Sequence, residues 1–376
     1  MGLRWSGCVH DVLPPVRYDG STKGIGMTER VEIWKQSSVV NLEAMNRAED
    51  YVMEDQELRA AANAALVLGK PLLLTGEAGI GKSQFARWLA LQLELGEPLK
   101  FVVKSTTEAR DLFYQYDSLA RFHEAQVTQL LQPAGVSSGG RTSSYDGVDP
   151  LRYITYNALG KAILYSLGKT AAQGQDLLSK DMVDLLATFP AKPRRSVVLI
   201  DEIDKAPRDV PNDVLDEIDH CTFNIRELGN RSVAAPSDCR PVVVMTSNSE
   251  RDLPKPFLRR CVYYHMRFPT PTVLTQIVHR RVGKRFEGAT DILGQALTLF
   301  IYIRDRVGLR QPPGLAELLD FLASLAGSVQ DGAALRSHEH LQALVKGTLL
   351  KDRHDQEQTD LAGWLSGALG PDDGNR

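Results

Sequence analysis

The strongest chemical signal in the sequence is a glycine-rich stretch, Gly76-Glu77-Ala78-Gly79-Ile80-Gly81-Lys82-Ser83. It fits the pattern GxxxxGK[ST], in which glycines let backbone N–H groups turn towards phosphate oxygens. In this pattern Lys82 reaches the β- and γ-phosphates of a nucleotide, and the Ser83 hydroxyl coordinates Mg²⁺. The alternative is a glycine turn without a ligand. The loop, however, follows an apolar run at 71–75 and precedes a helical pattern at 84–95, which is the context that phosphate binding requires.

Two adjacent acids, Asp201 and Glu202, end a second apolar run that begins at Val197. In P-loop enzymes the first such acid holds Mg²⁺, and the next residue can orient or deprotonate the attacking water. Many strands end in acids, so the pair is informative only because a phosphate loop precedes it. Together the two motifs predict hydrolysis as well as binding. We expect the neighbouring Asp204 and Lys205 to lie in a solvated turn.

Two further polar features follow or precede apolar runs. Asn248 comes directly after the run at 242–247, where its side chain could hold the attacking water, although asparagine is also a common turn former. Arg259 and Arg260 precede the last predicted strand, at 262–268. They are either a solvated pair or a source of a guanidinium for a neighbouring subunit's γ-phosphate.

The elements that position these residues can be read from the hydrophobic periodicity. Buried strands are expected at 71–75, 101–104, 197–201, 242–247 and 262–268. Helical patterns lie between them, at 55–68, 84–95, 111–132, 157–167, 174–186 and 211–220. This alternation predicts a mainly parallel sheet that helices cover on both faces. From residue 272 the pattern is wholly helical, over 272–286, 290–307, 314–327 and 334–350, which predicts a second, smaller domain.

Composition narrows the class of protein. The net charge of −3 disfavours a chain that coats nucleic acid or an anionic membrane, because such proteins usually carry a basic excess. The four cysteines, Cys8, Cys221, Cys239 and Cys261, form no CxxC pair, so free thiols in a reducing, cytoplasmic setting are expected. No apolar run reaches the length of a membrane span.

Taken together, the motifs resemble those of the MoxR-like branch of the AAA+ ATPases. The resemblance rests on GEAGIGKS (76–83), SVVLIDEIDKAP (196–207), VVVMTSN (242–248) and LPKPFLRRC (253–261). These match, in order, the Walker A loop, the Walker B strand, the sensor-1 strand and the arginine-finger segment. The resemblance implies a P-loop α/β core with a five-stranded, mainly parallel sheet between helices and a C-terminal all-α lid. The implied divisions are an irregular arm at 1–50, the core at 51–270, the lid at 271–350 and a polar, frayed tail at 351–376.

The same resemblance implies the cofactors, roles and partners. ATP and Mg²⁺ are the cofactors; Asp201 serves the metal through water, Glu202 is the catalytic base and Asn248 is sensor 1. Arg260 is the expected finger, with Arg259 in reserve. The implied assembly is a homo-oligomeric ring, expected as a hexamer, which remodels a protein substrate or adaptor, one candidate being a partner with a von Willebrand factor A domain. The alternatives are a nucleic-acid-translocating motor and a regulatory switch with little turnover.

Two features depart from the family pattern. The segment between the two nucleotide motifs is longer than a minimal core needs, which predicts an insertion around 117–195. The family's lid usually has an arginine, sensor 2, at the start of its third helix. Here glycine stands near that place, and Arg310 in the preceding loop could take the role of sensor 2.

An aromatic segment follows the second predicted strand. Phe113, Tyr114 and Tyr116 lie where related rings face a central pore, so they could grip a threaded chain. The alternative is that they are core aromatics on a helix. We expect Phe113 to be in the core and leave the two tyrosines open.

Overall fold

A computed structural model describes residues 47–131, 149–248, 251–330 and 338–369. Parts of several expectations from the sequence lie outside these ranges: most of the irregular arm at 1–50, the middle of the insertion around 117–195, the start of the helix expected at 334–350, and the end of the tail at 351–376. Cys8 also lies outside them. Within the described ranges, no helix combines the length and apolar character needed to cross a bilayer.

The strands of the described residues form one five-stranded sheet and two antiparallel pairs. They are β1 (Leu72–Thr75), β2 (Leu99–Val102), β3 (Tyr114–Tyr116), β4 (Ile154–Tyr156), β5 (Val197–Asp201), β6 (Thr222–Ile225), β7 (Arg231–Ala234), β8 (Val242–Ser247) and β9 (Val262–His265). The sheet has the order β2-β5-β8-β1-β9, and all its neighbours are parallel. The antiparallel pairs β3–β4 and β6–β7 stand apart from it. The predicted five-stranded parallel sheet is confirmed.

Helices flank the sheet and continue beyond it. They are α1 (Gln56–Leu68), α2 (Lys82–Gln92), α3 (Ser118–Leu131), α4 (Ala158–Leu167), α5 (Lys169–Gly174), α6 (Val183–Thr188), α7 (Val210–Asp213), α8 (Leu215–His220), α9 (Lys255–Arg260), α10 (Pro271–Val282), α11 (Thr290–Arg306), α12 (Leu315–Gln330), α13 (His338–Leu344), α14 (Arg353–Glu357) and α15 (Leu361–Leu369). A π-helical turn, Val345–Leu349, extends α13.

Both faces of the sheet are covered because its central strands are apolar on both sides. Every residue of β1, β5 and β8 is buried. Since successive side chains of a strand point to opposite faces, Leu72 and Leu74 pack in one core with Phe85 of α2. Leu73 packs in the other core with Ile163 of α4. The edge strands β2 and β9 alternate between half-buried and exposed residues instead.

The segment expected to be mostly helical at 111–132 is only partly so. A 3₁₀ turn at Ala109–Leu112 precedes β3, and only then does α3 begin. Residues 114–116 pair with β4, and Phe113 stacks on Phe223 of β6 with ring centroids 5.2 Å apart. Phe113 and Tyr114 are buried and Tyr116 is half-buried. The core interpretation therefore holds for Phe113 and Tyr114, but they lie around a strand and not on a helix.

Two other helix predictions need correction. The helix expected at 174–186 is wrong over its first half, because α5 ends at Gly174 and Asp176 takes a positive φ of 50° that breaks the helix. The helix expected at 211–220 is two short helices, α7 and α8, which meet at Val214. The β6–β7 hairpin was not predicted at all. Its turn ends with Gly229 and Asn230, both left-handed, at φ 69° and 57°.

The helices after β9 share a core of their own, separate from those of the sheet. It includes Leu274, Phe300 and Phe321 from α10, α11 and α12. The expected frayed tail is wrong for residues 353–369, because α15 packs against α11 and buries Leu361 and Trp364 in this core. The two apolar side chains are three positions apart, so they lie on one face of the helix. The polar residues on either side of this helix obscured that pattern in the sequence.

Candidate functional site

The chemical motifs meet at one edge of the sheet. The glycine-rich loop leaves the carboxyl end of β1, Glu202 follows β5, and Asn248 follows β8. Because all three strands are parallel and adjacent, their carboxyl ends lie together. In open α/β sheets this edge is where ligands bind.

The loop itself has the backbone that an anion site needs. Gly76, Gly79 and Gly81 have φ values of 137°, 76° and 100°, a region that side chains disfavour. At Gly76 the position of a Cβ would lie 2.5 Å from the carbonyl oxygen of Met266, so a side chain cannot fit. Ile80 is buried and anchors the loop. The loop then opens α2 directly, which directs helix N-terminal N–H groups towards the cleft.

Lys82 is folded back onto the loop. Its Nζ donates to the carbonyl oxygens of Gly76 and Glu77, both at 2.7 Å. The residue is only 6% exposed, and this burial lowers the pKa of its ammonium group, opposed by the nearby carboxylates of Asp204 and Asp201. The positive charge is thus held at the loop where phosphate oxygens would bind.

Asp201 is surrounded by three donors. Its Oδ1 accepts hydrogen bonds from Ser83 Oγ at 2.7 Å and from Thr246 Oγ1 at 2.6 Å. Its Oδ2 lies 2.7 Å from Lys100 Nζ. Burial by itself raises the pKa of Asp201, but the hydrogen bonds from Lys100, Thr246 and Ser83 outweigh it and hold the pKa below its usual value. An ionised carboxylate beside a hydroxyl oxygen is the hard-oxygen donor set that Mg²⁺ prefers, so the residues present fit that ion.

Glu202 is fixed by its backbone and by both carboxylate oxygens. Its φ of 62° is left-handed, and its N–H donates to Thr246 Oγ1 at 2.9 Å. Asn248 Nδ2 donates to Oε1 at 3.3 Å, and Lys205 Nζ lies 2.7 Å from Oε2. A residue other than glycine in the left-handed region is strained, and such residues cluster at functional sites. The structure therefore brings Glu202 and Asn248 into direct contact.

The solvated turn expected after Glu202 is wrong for Asp204 and only partly right for Lys205. Asp204 is 3% exposed, and the adjacent Ile203 is fully buried. The left-handed backbone of Glu202 turns the chain back, so the 3₁₀ turn Ile203–Lys205 packs against β8.

Lid residues close the cleft from the other side. A cavity of about 330 Å³ lies between the loop and the acids, and its lid wall comprises Arg281, Leu315, Ala316 and Leu319. The contact is close: a Cβ at Gly79 would lie 3.0 Å from Ala316 Cβ. A neighbouring cavity of about 520 Å³ shares several lining residues with the first. Its wall combines apolar and aromatic side chains, among them Tyr51, Met53, Leu58, Tyr264, Phe268 and Ile277, with charged ones such as Asp55, Glu57 and Arg267.

The three arginines for which the sequence suggested a role, Arg259, Arg260 and Arg310, lie away from this cleft. Arg259 and Arg260, at the end of α9, do not line either cavity, and Arg260 Nε lies 3.4 Å from Asp219 Oδ2. Arg310 is exposed and lines neither cavity; its backbone N–H donates to Asp355 Oδ1 at 3.1 Å.

Four functional candidates were missed by sequence reasoning: Lys100, Thr246, Arg281 and Arg304. Thr246 offered a signal, because it is a polar residue at the end of an apolar run. It stands two positions before Asn248, which is the repeat of side chains on one face of a strand. Lys100 offered no signal, because it precedes the strand predicted at 101–104, whereas the observed strand β2 begins at Leu99. The two lid arginines carried no recognisable motif.

The glycine-rich loop and both acids fall within a match to a known protein family. A model of the AAA domain, dynein-related subfamily, matches residues 71–261. Among solved structures, the chain is similar to the RuvB Holliday junction branch migration motor of Thermotoga maritima, with 16% identity and a TM-score of 0.38 over 78% of this chain and 67% of that one. A similarity this distant supports no inference about function. No curated protein matches the chain. Because the family match spans just over half of the sequence and includes the glycine-rich loop and both acids, the chain belongs to the dynein-related subfamily of AAA domains.

Proposed function

We propose that this protein hydrolyses ATP, with Mg²⁺, as the motor subunit of an oligomeric ring of the MoxR-like kind. The observation that carries the proposal is the arrangement at the cleft. Lys82, Ser83 and Asp201 lie where a nucleotide's phosphates and metal would bind, and Glu202 with Asn248 lies beside them. A protein that only binds nucleotide does not need the last two residues.

Binding would use groups that are already in place. Phosphate oxygens would replace the carbonyl oxygens that now accept from Lys82 Nζ, since an anion is the better partner for an ammonium group. The neighbouring cavity, whose wall combines aromatic and apolar side chains with polar ones, suits a flat heterocyclic base that stacks and accepts or donates hydrogen bonds. Ser83 and Asp201 would hold the metal, Asp201 through a water molecule.

Hydrolysis requires a base for the attacking water. Glu202 is the candidate, because its carboxylate can accept the proton once Lys205 or Asn248 releases one of the oxygens they now bind. Asn248 can then orient the water. Mg²⁺, when bound, neutralises charge that develops on the phosphates. The left-handed backbone of Glu202 fixes the side chain at the strand end, so little reorganisation is needed.

Two variants test this part of the proposal. Lys82→Ala should lose ATP binding in calorimetry, because the loop has no other cation. Glu202→Gln should bind ATP with near wild-type affinity but hydrolyse it at a rate reduced by about 100-fold or more, since an amide cannot accept the proton. Wild-type turnover in Glu202→Gln would assign the base elsewhere.

The ring part of the proposal concerns Arg260. The Arg260 side chain is about half exposed and does not line the nucleotide cleft of its own subunit, so it is available to reach the nucleotide cleft of a neighbouring subunit. Arg260→Ala should bind ATP but lose turnover, because a finger stabilises the transition state. Mixing Arg260→Ala with Lys82→Ala protomers should restore part of the activity by combining an intact loop with an intact finger. Arg259→Ala is the matched control.

Absence of recovery in that mixture, together with a monomer by light scattering in ATP, would contradict the ring. The partner is proposed to be a protein, with a von Willebrand factor A domain as one candidate. Turnover stimulated by nucleic acid and not by protein would favour the translocating motor instead. Binding without measurable turnover in the wild type would favour the switch.

A further inference from the structure

One lid side chain, Arg304 near the end of α11, joins three separate parts of the protein. Its Nη2 donates to both carboxylate oxygens of Glu77, at 2.7 and 3.0 Å. Its Nη1 donates to the carbonyl oxygen of Pro313 at 2.6 Å. Its guanidinium carbon lies 3.6 Å from the ring centroid of Phe268. The Arg304 side chain is 10% exposed, so these contacts are made out of bulk solvent.

The three contacts differ in what they attach. Phe268 lies in the connection from β9 to α10, and Pro313 precedes the start of α12. Both hold the guanidinium from the lid side. Glu77 belongs to the glycine-rich loop, and its side chain is 57% exposed. Arg304 is therefore preorganised by the lid, and Glu77 is the partner that can leave.

Glu77 also contacts the phosphate-binding lysine. Its backbone carbonyl oxygen accepts from Lys82 Nζ at 2.7 Å, while its carboxylate accepts from Arg304. One residue thus connects the ammonium that phosphate would recruit to the arginine that holds the lid. The lid is close at the same place, since a Cβ at Gly314 would lie 3.2 Å from the carbonyl oxygen of Ala78.

We propose that Arg304, Glu77 and Lys82 form a relay that latches the lid to the nucleotide-free loop. The latch stabilises the loop in which Lys82 bonds to the Glu77 carbonyl, so ATP must break that bond and loosen Arg304 as it binds. Lid position then depends on whether phosphate occupies the loop. Arg304 is a positioning residue in this scheme, because it acts on the nucleotide through Glu77. The inference rests on the proposed ATP binding.

The relay fixes the sign of a measurable effect. A contact that is present only in the nucleotide-free state competes with the ligand. Removing that contact must therefore raise ligand affinity by the same factor by which the contact had lowered it. Arg304→Gln should therefore bind a non-hydrolysable ATP analogue more tightly, by roughly fivefold, the low end of typical coupling between sites. Arg304→Lys keeps the charge but cannot bond to Glu77 and to the Pro313 carbonyl through separate nitrogens of one plane, so it should lie between Arg304→Gln and the wild type.

The same relay predicts a change in lid dynamics. In the wild type, hydrogen exchange of the peptide 313–319 should speed up when the analogue binds, because the latch is released. In Arg304→Gln that peptide should exchange fast with or without the analogue. Arg306→Gln, an exposed arginine on the same helix, is the matched control and should behave as wild type in both experiments.

Outcomes of these experiments separate the two levels of the proposal. If the wild type does not bind the analogue, the proposed function fails. If the wild type binds it but Arg304→Gln binds equally well or more weakly, the latch is overturned while ATP binding stands. Glu77→Gln combined with Arg304→Gln should change affinity no more than either single variant, because both break the same contact. Additive effects would also overturn the relay.

Discussion

Replacing Thr246 by valine tests how the two catalytic acids are held. Valine has nearly the same shape as threonine, so the change removes a hydroxyl without opening a cavity. That hydroxyl is buried and makes two hydrogen bonds, one to Asp201 Oδ1 at 2.6 Å and one from the N–H of Glu202 at 2.9 Å.

The expected loss follows from those two bonds. A hydrogen bond to a charged group contributes about 1.5–3 kcal/mol, and a buried N–H left without a partner costs about 1–3 kcal/mol. The added methyl group offsets about 0.8 kcal/mol by apolar burial. The free energy of unfolding should therefore fall by roughly 2–5 kcal/mol. Turnover should fall by about tenfold or more, because the strained backbone of Glu202 loses its support.

Urea denaturation and steady-state ATP hydrolysis measure these two effects. Thr246→Ser keeps the hydroxyl and is the matched control, expected to restore most of the stability and turnover. A valine variant within about 0.5 kcal/mol of wild type, the range of changes at neutral surface sites, would refute the conclusion that this hydroxyl supports the acids. So would a serine variant as impaired as the valine one.

Other side chains give further predictions. Trp364→Ala should lower the free energy of unfolding by about 3–5 kcal/mol in urea denaturation, because the ring is buried in the lid core. An unchanged urea midpoint would favour the frayed tail expected from the sequence. Lys100→Met should raise the Mg²⁺ affinity of the ATP complex in a metal titration, because a cation 2.7 Å from Asp201 is removed; weaker Mg²⁺ binding would contradict this. In mass-spectrometric thiol mapping at neutral pH, Cys261 should stay unmodified, because burial raises its pKa to about 12, whereas the less buried Cys239 should react first of the two.

Sequence by itself determined the elements whose signal is local. The runs 197–201 and 242–247 coincide with β5 and β8 to the residue, because strands buried on both faces read as unbroken apolar segments. Residues 76–83 were recognised for the same reason, since a phosphate loop is one contiguous motif between a strand and a helix. Short segments with mixed patterns were not recognised. Residues 114–116 form a strand because they pair with residues at least 38 positions further along the chain, and the periodicity of a short segment does not indicate its pairing partner.

Only the tertiary structure decided which side chains reach one another across the site. Lys100 and Thr246 both contact Asp201 because β2 and β8 lie on either side of β5, and strand order is set by long-range packing that no local pattern records. Arg304 reaches Glu77 from 227 positions away because the lid folds back over the loop. The left-handed turn at Glu202 likewise depends on the buried hydroxyl of a neighbouring strand. Local sequence thus fixes which residues can do chemistry, whereas the order of the strands and the docking of the lid fix which of them do it together.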